Sequence, residues 1–484
     1  MCRVHFGAAG GGGGVARGGG VGYFSGMLRL GRPRLDDVRA LVRLAVPIVT
    51  VQVGLMLMAV VDTMVVGHVS ARELAASSLG NLYFYGVGGF GMGIVWAIDP
   101  VVSQALGAQD KEAAALGIQR GLVVAEIVGL LLTLLCLPAG AVFTALRQPA
   151  GVVPRAAAFV HVSAASVAAL LVFVGLRQGL QAMKQTRAIV GTIVAGNVLN
   201  LGLNLVFVFG RFGLPAMGAV GAAWSSVLSR YAMIAILLVS ARRELAPVLR
   251  PWRPAALARG PLLRTVALGL PIGMQISVEF LTFAAISVFA GWFGADAIGG
   301  HQVALNLSSL TFMVPMGVGS AASVLVGRSI GAGDGLQARR FAAAALGCGA
   351  GFMALSAIVL RAIPGLFAHA YTSVPGVVAV AAALIPIAGV FQVFDGVQVV
   401  SAGVLRGAGD TRASLLAMLL GFWLVGTPVS LWLGFRAGLG IVGLWWGFVA
   451  GLAAVALFLV GRVSVLLSRP VARVHVDAGP GPGA

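Results

Sequence analysis

Residues 44–67 read LAVPIVTVQVGLMLMAVVDTMVVG. One acid, Asp62, and no base interrupt the stretch. An apolar run beyond about 18 residues is long enough to cross the hydrocarbon core of a bilayer as a helix. Part of this run returns later in the chain. Leu44-Ala45-Val46-Pro47-Ile48 is echoed by Leu268-Gly269-Leu270-Pro271-Ile272, 224 positions on. Gly107-Ala108-Gln109-Asp110 is echoed by Gly331-Ala332-Gly333-Asp334 at the same offset. Thr186-Arg187-Ala188 recurs as Thr411-Arg412-Ala413, and Gly213 and Gly218 recur as Gly438 and Gly443, at 225. Ordered matches at a nearly fixed offset describe a duplicated chain.

Working outward, apolar runs predict twelve spans. They cover 42–67, 74–104, 115–138, 157–181, 187–209, 217–240, 264–292, 300–328, 338–361, 378–404, 412–434 and 441–466. Only 10% of the 484 residues are charged and 59% are hydrophobic, too few charges to coat a water-soluble surface. Continuous apolar runs also exclude a transmembrane β-barrel, whose strands alternate in polarity. The expected fold is an all-α polytopic membrane protein, twelve transmembrane helices in two pseudo-symmetric six-helix bundles around a central cleft. Six spans per half make the repeat parallel, so one half can rock against the other. The expected units are a glycine-rich disordered tail (1–35), an N-terminal bundle (36–240), a linker (241–263), a C-terminal bundle (264–467) and a disordered tail (468–484). The Met27-Leu28-Arg29 run is an alternative start.

The formal charge is +18, yet the basic residues are scattered over short connections, not gathered in a stripe, which excludes a nucleic-acid interface. With the N-terminus inside, cytoplasmic segments hold 26 of the 33 Lys and Arg and outer connections hold 6, with Arg230 left inside the sixth span. That bias predicts both termini in the cytoplasm. Cys2, Cys136 and Cys348 have no metal or redox spacing.

Charge within a span is costly and marks function. Three acids lie deep in apolar helices: Asp62 in the first span, Glu279 in the seventh and Asp395 in the tenth. The halves differ here, because Ile286 stands at the repeat position of Asp62. Amides accompany the acids on helical faces. Gln275 precedes Glu279 by four, Gln392 and Gln398 flank Asp395 by three, and Asn197, Asn200 and Asn204 share one face of the fifth span. Gln302 and Asn306 lie four apart in the eighth. A buried carboxylate can trade its charge for a proton or hold a cation, and oxygen ligands suit sodium. Asp99, before Pro100, reads as a structural or gate residue; Glu126 in the third span has no assigned role. No histidine pair, Gly-x-Ser-x-Gly or phosphate loop appears in a suitable setting, so neither catalysis nor direct use of ATP is expected.

At Val60-Val61-Asp62-Thr63-Met64, Gly269-Leu270-Pro271-Ile272 through Glu279, His301-Gln302-Val303-Ala304, and Asp395-Gly396-Val397-Gln398 to Gly407, the chain resembles the multidrug and toxic compound extrusion (MATE) family, in its NorM-like bacterial branch. The resemblance covers about residues 36–467. It implies a secondary antiporter of the bacterial inner membrane, working as a monomer among lipids. Such a protein exports cationic amphipathic drugs in exchange for Na+ or H+ and needs no other cofactor. It implies cation-coupling roles for Asp62, Glu279 and Asp395, with Na+ a candidate at the latter two. It implies that Asn200 and Asn204 are polar partners of Asp62 and that Gln302 meets substrate; Asn197, Gln275 and Gln398 are candidate polar or substrate residues by their spacing. Some sodium-binding relatives carry a tyrosine where this chain has Phe391, which leaves sodium or proton open. The alternative is a flippase for lipid-linked oligosaccharide or lipid II. It would need several cationic side chains in its cleft, and the intramembrane charges here read as mostly acidic.

Overall fold

The computed structural model describes residues 30–477. The glycine run, Met27 and residues 478–484 lie outside that range. The described chain is helical, with no strand among the described residues. Spans α1 to α3 are Leu35–Gly67, Ala71–Gly107 and Lys111–Cys136. Span α4 is a bent pair, Val153–Ala164 and Val167–Ala182, with 47° between its parts. Spans α5 and α6 are Arg187–Phe207 and Ala219–Ser240. The second half holds α7 (Arg259–Gly291), α8 (Ala295–Gly331), α9 (Gly335–Ala362), α10 (Pro375–Ala408), α11 (Thr411–Arg436) and α12 (Gly440–Leu467). Eleven are long and apolar enough to cross a membrane, and the bent pair makes twelve. The bend falls at Ser166, whose Oγ and backbone N–H both donate to the Ser163 carbonyl, at 2.8 and 2.9 Å, so an i−3 bond stands there.

The repeat is visible in the backbone. α1 and α7 both run 33 residues, and their first residues, 35 and 259, differ by the same 224 as the sequence matches. The α2–α3 and α8–α9 turns are built alike. Gln109 and Gly333 both take positive φ, 60° and 74°. Asp110 and Asp334 then cap the next helix, accepting from Ala113 N at 2.9 Å and Gln337 N at 2.8 Å.

Each half has its own apolar core. One gathers residues of α2–α4 with the start of α6; another gathers α7–α12. Leu41, Leu44, Ala45 and Ile48 of α1 belong to the second, so α1 crosses into the other half at its base.

The even span count puts the start of α1 and the end of α12 on one face, here called the terminal face. There the halves meet closely. Arg406 Nε of α10 lies 3.4 Å from Asp99 Oδ2 of α2. Gln104 Nε2 donates to the Gly407 carbonyl at 2.9 Å. The linker is ordered against α3: Gln119 Nε2 donates to the Val248 carbonyl at 2.8 Å, and Gln119 Oε1 accepts from Arg253 N at 2.9 Å.

The final segment departs from the expected disordered tail. Residues 468–477 run across the terminal face. Val474 N donates to Gln104 Oε1 at 2.7 Å, and Arg473 reaches Asp110 at 3.0 Å. Arg120 reaches Asp477 at 2.6 Å, while Val476 is buried. These partners all belong to the N-half, on α2, α3 and the turn between them, far from the tail in sequence, so local composition could not announce them.

Candidate functional site

Between the halves lies a cavity of about 610 Å³. α7 and α10 carry the acids into it because each places a carboxylate on the face turned toward the other half. Glu279, Gln275, Asp395 and Gln398 all line it. Gln275 stands one turn below Glu279, as the spacing of four requires. Asp395 is buried and close enough to Glu279 for the two charges to repel. Gln398 is also buried, and its Oε1 has no hydrogen-bond partner. Two carboxylates and an orphaned carboxamide oxygen form a set that suits a hard cation or a shared proton. Phe391 adds no oxygen. It is buried against Phe448, with ring centroids 4.8 Å apart, and makes an edge contact with Trp445.

Behind α10, a polar chain braces the acid-bearing helix. Ser356 Oγ donates to Gln392 Oε1 at 3.1 Å, and Gln392 Nε2 donates to Ser308 Oγ at 3.2 Å. His301, fully buried, accepts from Trp445 Nε1 at 3.2 Å.

The other expected site residues separate from this group. Asp62 lies in a second cluster inside the N-half. Its Oδ1 accepts from Asn204 Nδ2, and its Oδ2 accepts from Ser226 Oγ at 2.8 Å. Asn204 also donates to Asn200 Oδ1 at 3.1 Å. Asn197 shares their helix but turns to α1, donating to the Gly54 carbonyl at 3.1 Å. Three residues before Asn200, it stands about 60° round the helix from it, on the rim of that face. Gln302 is exposed, donates to Asn306 at 3.3 Å and is not among the cavity's lining residues. Glu126 is exposed on α3.

Three arginines alter the sequence-based charge map. Arg177, Arg230 and Arg406 line the same cavity. Arg177 and Arg406, near the predicted span ends at 181 and 404, are both buried. Arg177 Nη1 donates to Gln52 Oε1 at 3.2 Å. Arg406 stacks over Trp96 at 4.7 Å while facing Asp99. Intramembrane charge is therefore mixed in sign, not mostly acidic. A signal was present: Arg177 lies inside the predicted span 157–181, and Arg230 inside 217–240. The rule applied to the acids applies equally to them.

Comparison with known proteins accords with this geometry. The MatE family model matches residues 47–206 and 271–432, two stretches that begin at the repeat-related prolines. A multidrug resistance protein NorM of Burkholderia vietnamiensis is 34% identical over 406 residues, 82% of this chain and 87% of that protein. A probable multidrug resistance protein NorM of Deinococcus radiodurans is 35% identical over 435 residues, 88% and 95% of the two chains. Among solved structures, the eukaryotic MATE transporter AtDTX14 superposes with a TM-score of 0.81 at 22% identity, covering 91% of this chain and 96% of that one. A Pyrococcus furiosus transporter of the MOP superfamily, described as having a binding pocket of reverse polarity, gives 0.79 at 20% identity, covering 92% and 99%. With its two matched halves and its NorM relatives, the chain belongs to the MatE family.

Proposed function

We propose that the protein is a secondary multidrug exporter of the bacterial inner membrane, moving organic cations outward in exchange for inward Na+ or H+. The observation that carries this reading is the placement of Glu279 and Asp395 on one drug-sized cavity between two like halves. A cation or proton on the acid pair and a cationic cargo compete for the same negative charge. Binding of one therefore promotes release of the other, which is the requirement for exchange. The NorM names of the relatives support the same cargo class. The Lys and Arg bias supports a cytoplasmic terminal face. On that orientation, the ties at Asp99–Arg406 and Gln104–Gly407 close the inner side. Gln398 Oε1 supports sodium as a coupling ion, and Phe391 supports the proton. The protein works as a monomer and catalyses no bond chemistry.

The arginines favour one second reading, a flippase for lipid-linked oligosaccharides. Arg406 is engaged by Asp99, however, and the two C-half acids oppose a pyrophosphate. Ethidium efflux from energised vesicles under imposed Na+ or H+ gradients tests the choice. Efflux driven by either gradient supports export. No gradient-driven efflux, together with binding of a pyrophosphate-linked lipid, would reverse the assignment.

A further inference from the structure

The tail docks on one side of the seam between the halves. Val474 N donates to Gln104 Oε1, Arg473 reaches Asp110, and the Val474 side chain sits where a Cβ on Gly409 would stand. The repeat gives these groups twins on the other side of the seam. Gln104 leads to Arg328 at 224, and Gly409 leads back to Lys184 at 225. The backbone keeps the correspondence: Lys184 takes φ 61° where Gly409 takes 86°.

The two sides are unlike in charge. Gln104 satisfies its carboxamide on the Gly407 carbonyl and the Val474 amide. Arg328 makes no side-chain hydrogen bond among the described residues, and its Nε is buried without a partner. Its place is fixed, because its carbonyl abuts Gly107. Lys184, on the α4–α5 turn of the other half, is exposed and lies close enough to Arg328 for the two to repel. No carboxylate lies within ion-pair distance of either among the described residues. Residues 1–29 and 478–484 hold no Asp or Glu that could serve instead. A guanidinium keeps its proton in a protein, so this pair opposes closure of the terminal face until an anion lies between them. Lys184 also keeps a backbone conformation that favours glycine, as residues at ligand clamps often do.

We propose that Lys184 and Arg328 form a phosphate-binding site across the terminal-face seam, and that a phosphate group held there favours the closed inner side. The chemistry fits phosphate, whose several oxygens accept from the planar guanidinium fork and from the lysine point charge together. A phospholipid headgroup and free phosphate both present those oxygens. An anion that binds the closed seam better than the open one shifts the population toward closure. The site draws on neither the cargo nor the coupling ion, so its test uses neither a drug nor a gradient.

The purified full chain in phosphate-free detergent solution is melted with inorganic phosphate, and with chloride at matched ionic strength. Wild type is expected to melt at least about 2 °C higher in roughly 10 mM phosphate. Lys184→Gln and Arg328→Gln are each expected to raise the half-maximal phosphate concentration about tenfold, the scale of a lost charge-assisted contact. Lys184→Arg is expected to keep most of the effect. Without phosphate, Lys184→Gln should melt no lower than wild type, because it relieves a repulsion; a lower midpoint marks a structural lysine and counts against the site. The same melts in phosphatidylcholine nanodiscs, with and without phosphatidylglycerol, test the headgroup source. A rise with free phosphate, or with phosphatidylglycerol, that Lys184→Gln loses supports the site and identifies its source. No rise from either, or an equal rise in wild type and Lys184→Gln, overturns the proposal. Where Arg328→Gln fails to fold, the Lys184 variants decide. Closure is read from spin labels at Lys111 and Gly335 in a cysteine-free chain. The bound anion should favour the shorter distance, and an unchanged or longer one overturns the link to closure.

Discussion

Gly107 and Gly331 make the same contact in exchange. A side chain on Gly107 would meet the Arg328 carbonyl, and one on Gly331 would meet the Gln104 carbonyl. The repeat offset of 224 turns one contact into the other, since 107 leads to 331 and 104 to 328. The ends of α2 and α8 therefore cross backbone to backbone, about an axis relating the halves. Only glycine permits that approach.

Gly331→Val is expected to hold this seam open. The branched side chain has backbone before it, which cannot yield as a flexible side chain would. Efflux should fall at least tenfold while membrane insertion persists. Spin labels at Lys111 and Gly335, in a chain freed of cysteines, should move several ångström apart. Unchanged label distances would remove the seam from the closing contact.

Arg406→Met should destabilise the protein by about 3 kcal/mol, the lower end for breaking a buried pair. The lower end applies because Arg177 still attracts the orphaned Asp99. The double variant Asp99→Asn with Arg406→Met should recover part of that loss. Chemical denaturation of the purified protein measures both, and a double variant weaker than the sum of the singles would contradict the pairing.

Removing residues 469–484 should loosen the terminal face. Arg120, 1% exposed, would lose Asp477, and Gln104 would lose the Val474 amide. Asp477→Asn alone should cost about 1 kcal/mol, because the carboxylate is half exposed and screened by solvent. Melting of full-length and truncated protein compares them, and identical transitions would refute a structural role for the tail.

The tail's docking should survive mild acid. The Ala113 amide first, and then Arg473, hold the Asp110 carboxyl below its ordinary range. Its contribution is therefore present above the ordinary carboxylate range and is lost only as pH falls through the lowered value. The mobility of a nitroxide at residue 476 should stay flat from pH 7 to about 5 and rise below the usual carboxylate range. A rise near neutrality would point to another group.

Asp62→Asn should lower coupled efflux at least tenfold if the N-half cluster takes part in coupling. It keeps an acceptor for Asn204 but removes the charge. Full efflux with unaltered stability would make the cluster a helix brace only.

Much was readable along the chain. Length and polarity of each apolar run specify a span, because bilayer thickness and backbone satisfaction admit few alternatives. The turn before α9 was legible too: Asp334 caps from its own sequence neighbourhood. Glu279 and Gln275 share a face through helical geometry alone. Arg177 and Arg406 were harder, because a basic residue near a span's end reads the same whether it reaches water or turns inward. Gln302 shows the converse, since periodicity names a face without saying what that face meets.

The sequence by itself determined the twelve spans, the duplication and the unlike acids of the two halves. These are properties of residue order, set by solvent and helical period. Only the tertiary structure decided that Glu279 and Asp395 share a cavity while Asp62 does not, that arginines stand across from them, and that the tail ties the halves. Those depend on how separate helices rotate and cross, and close packing settles that between residues far apart in the chain.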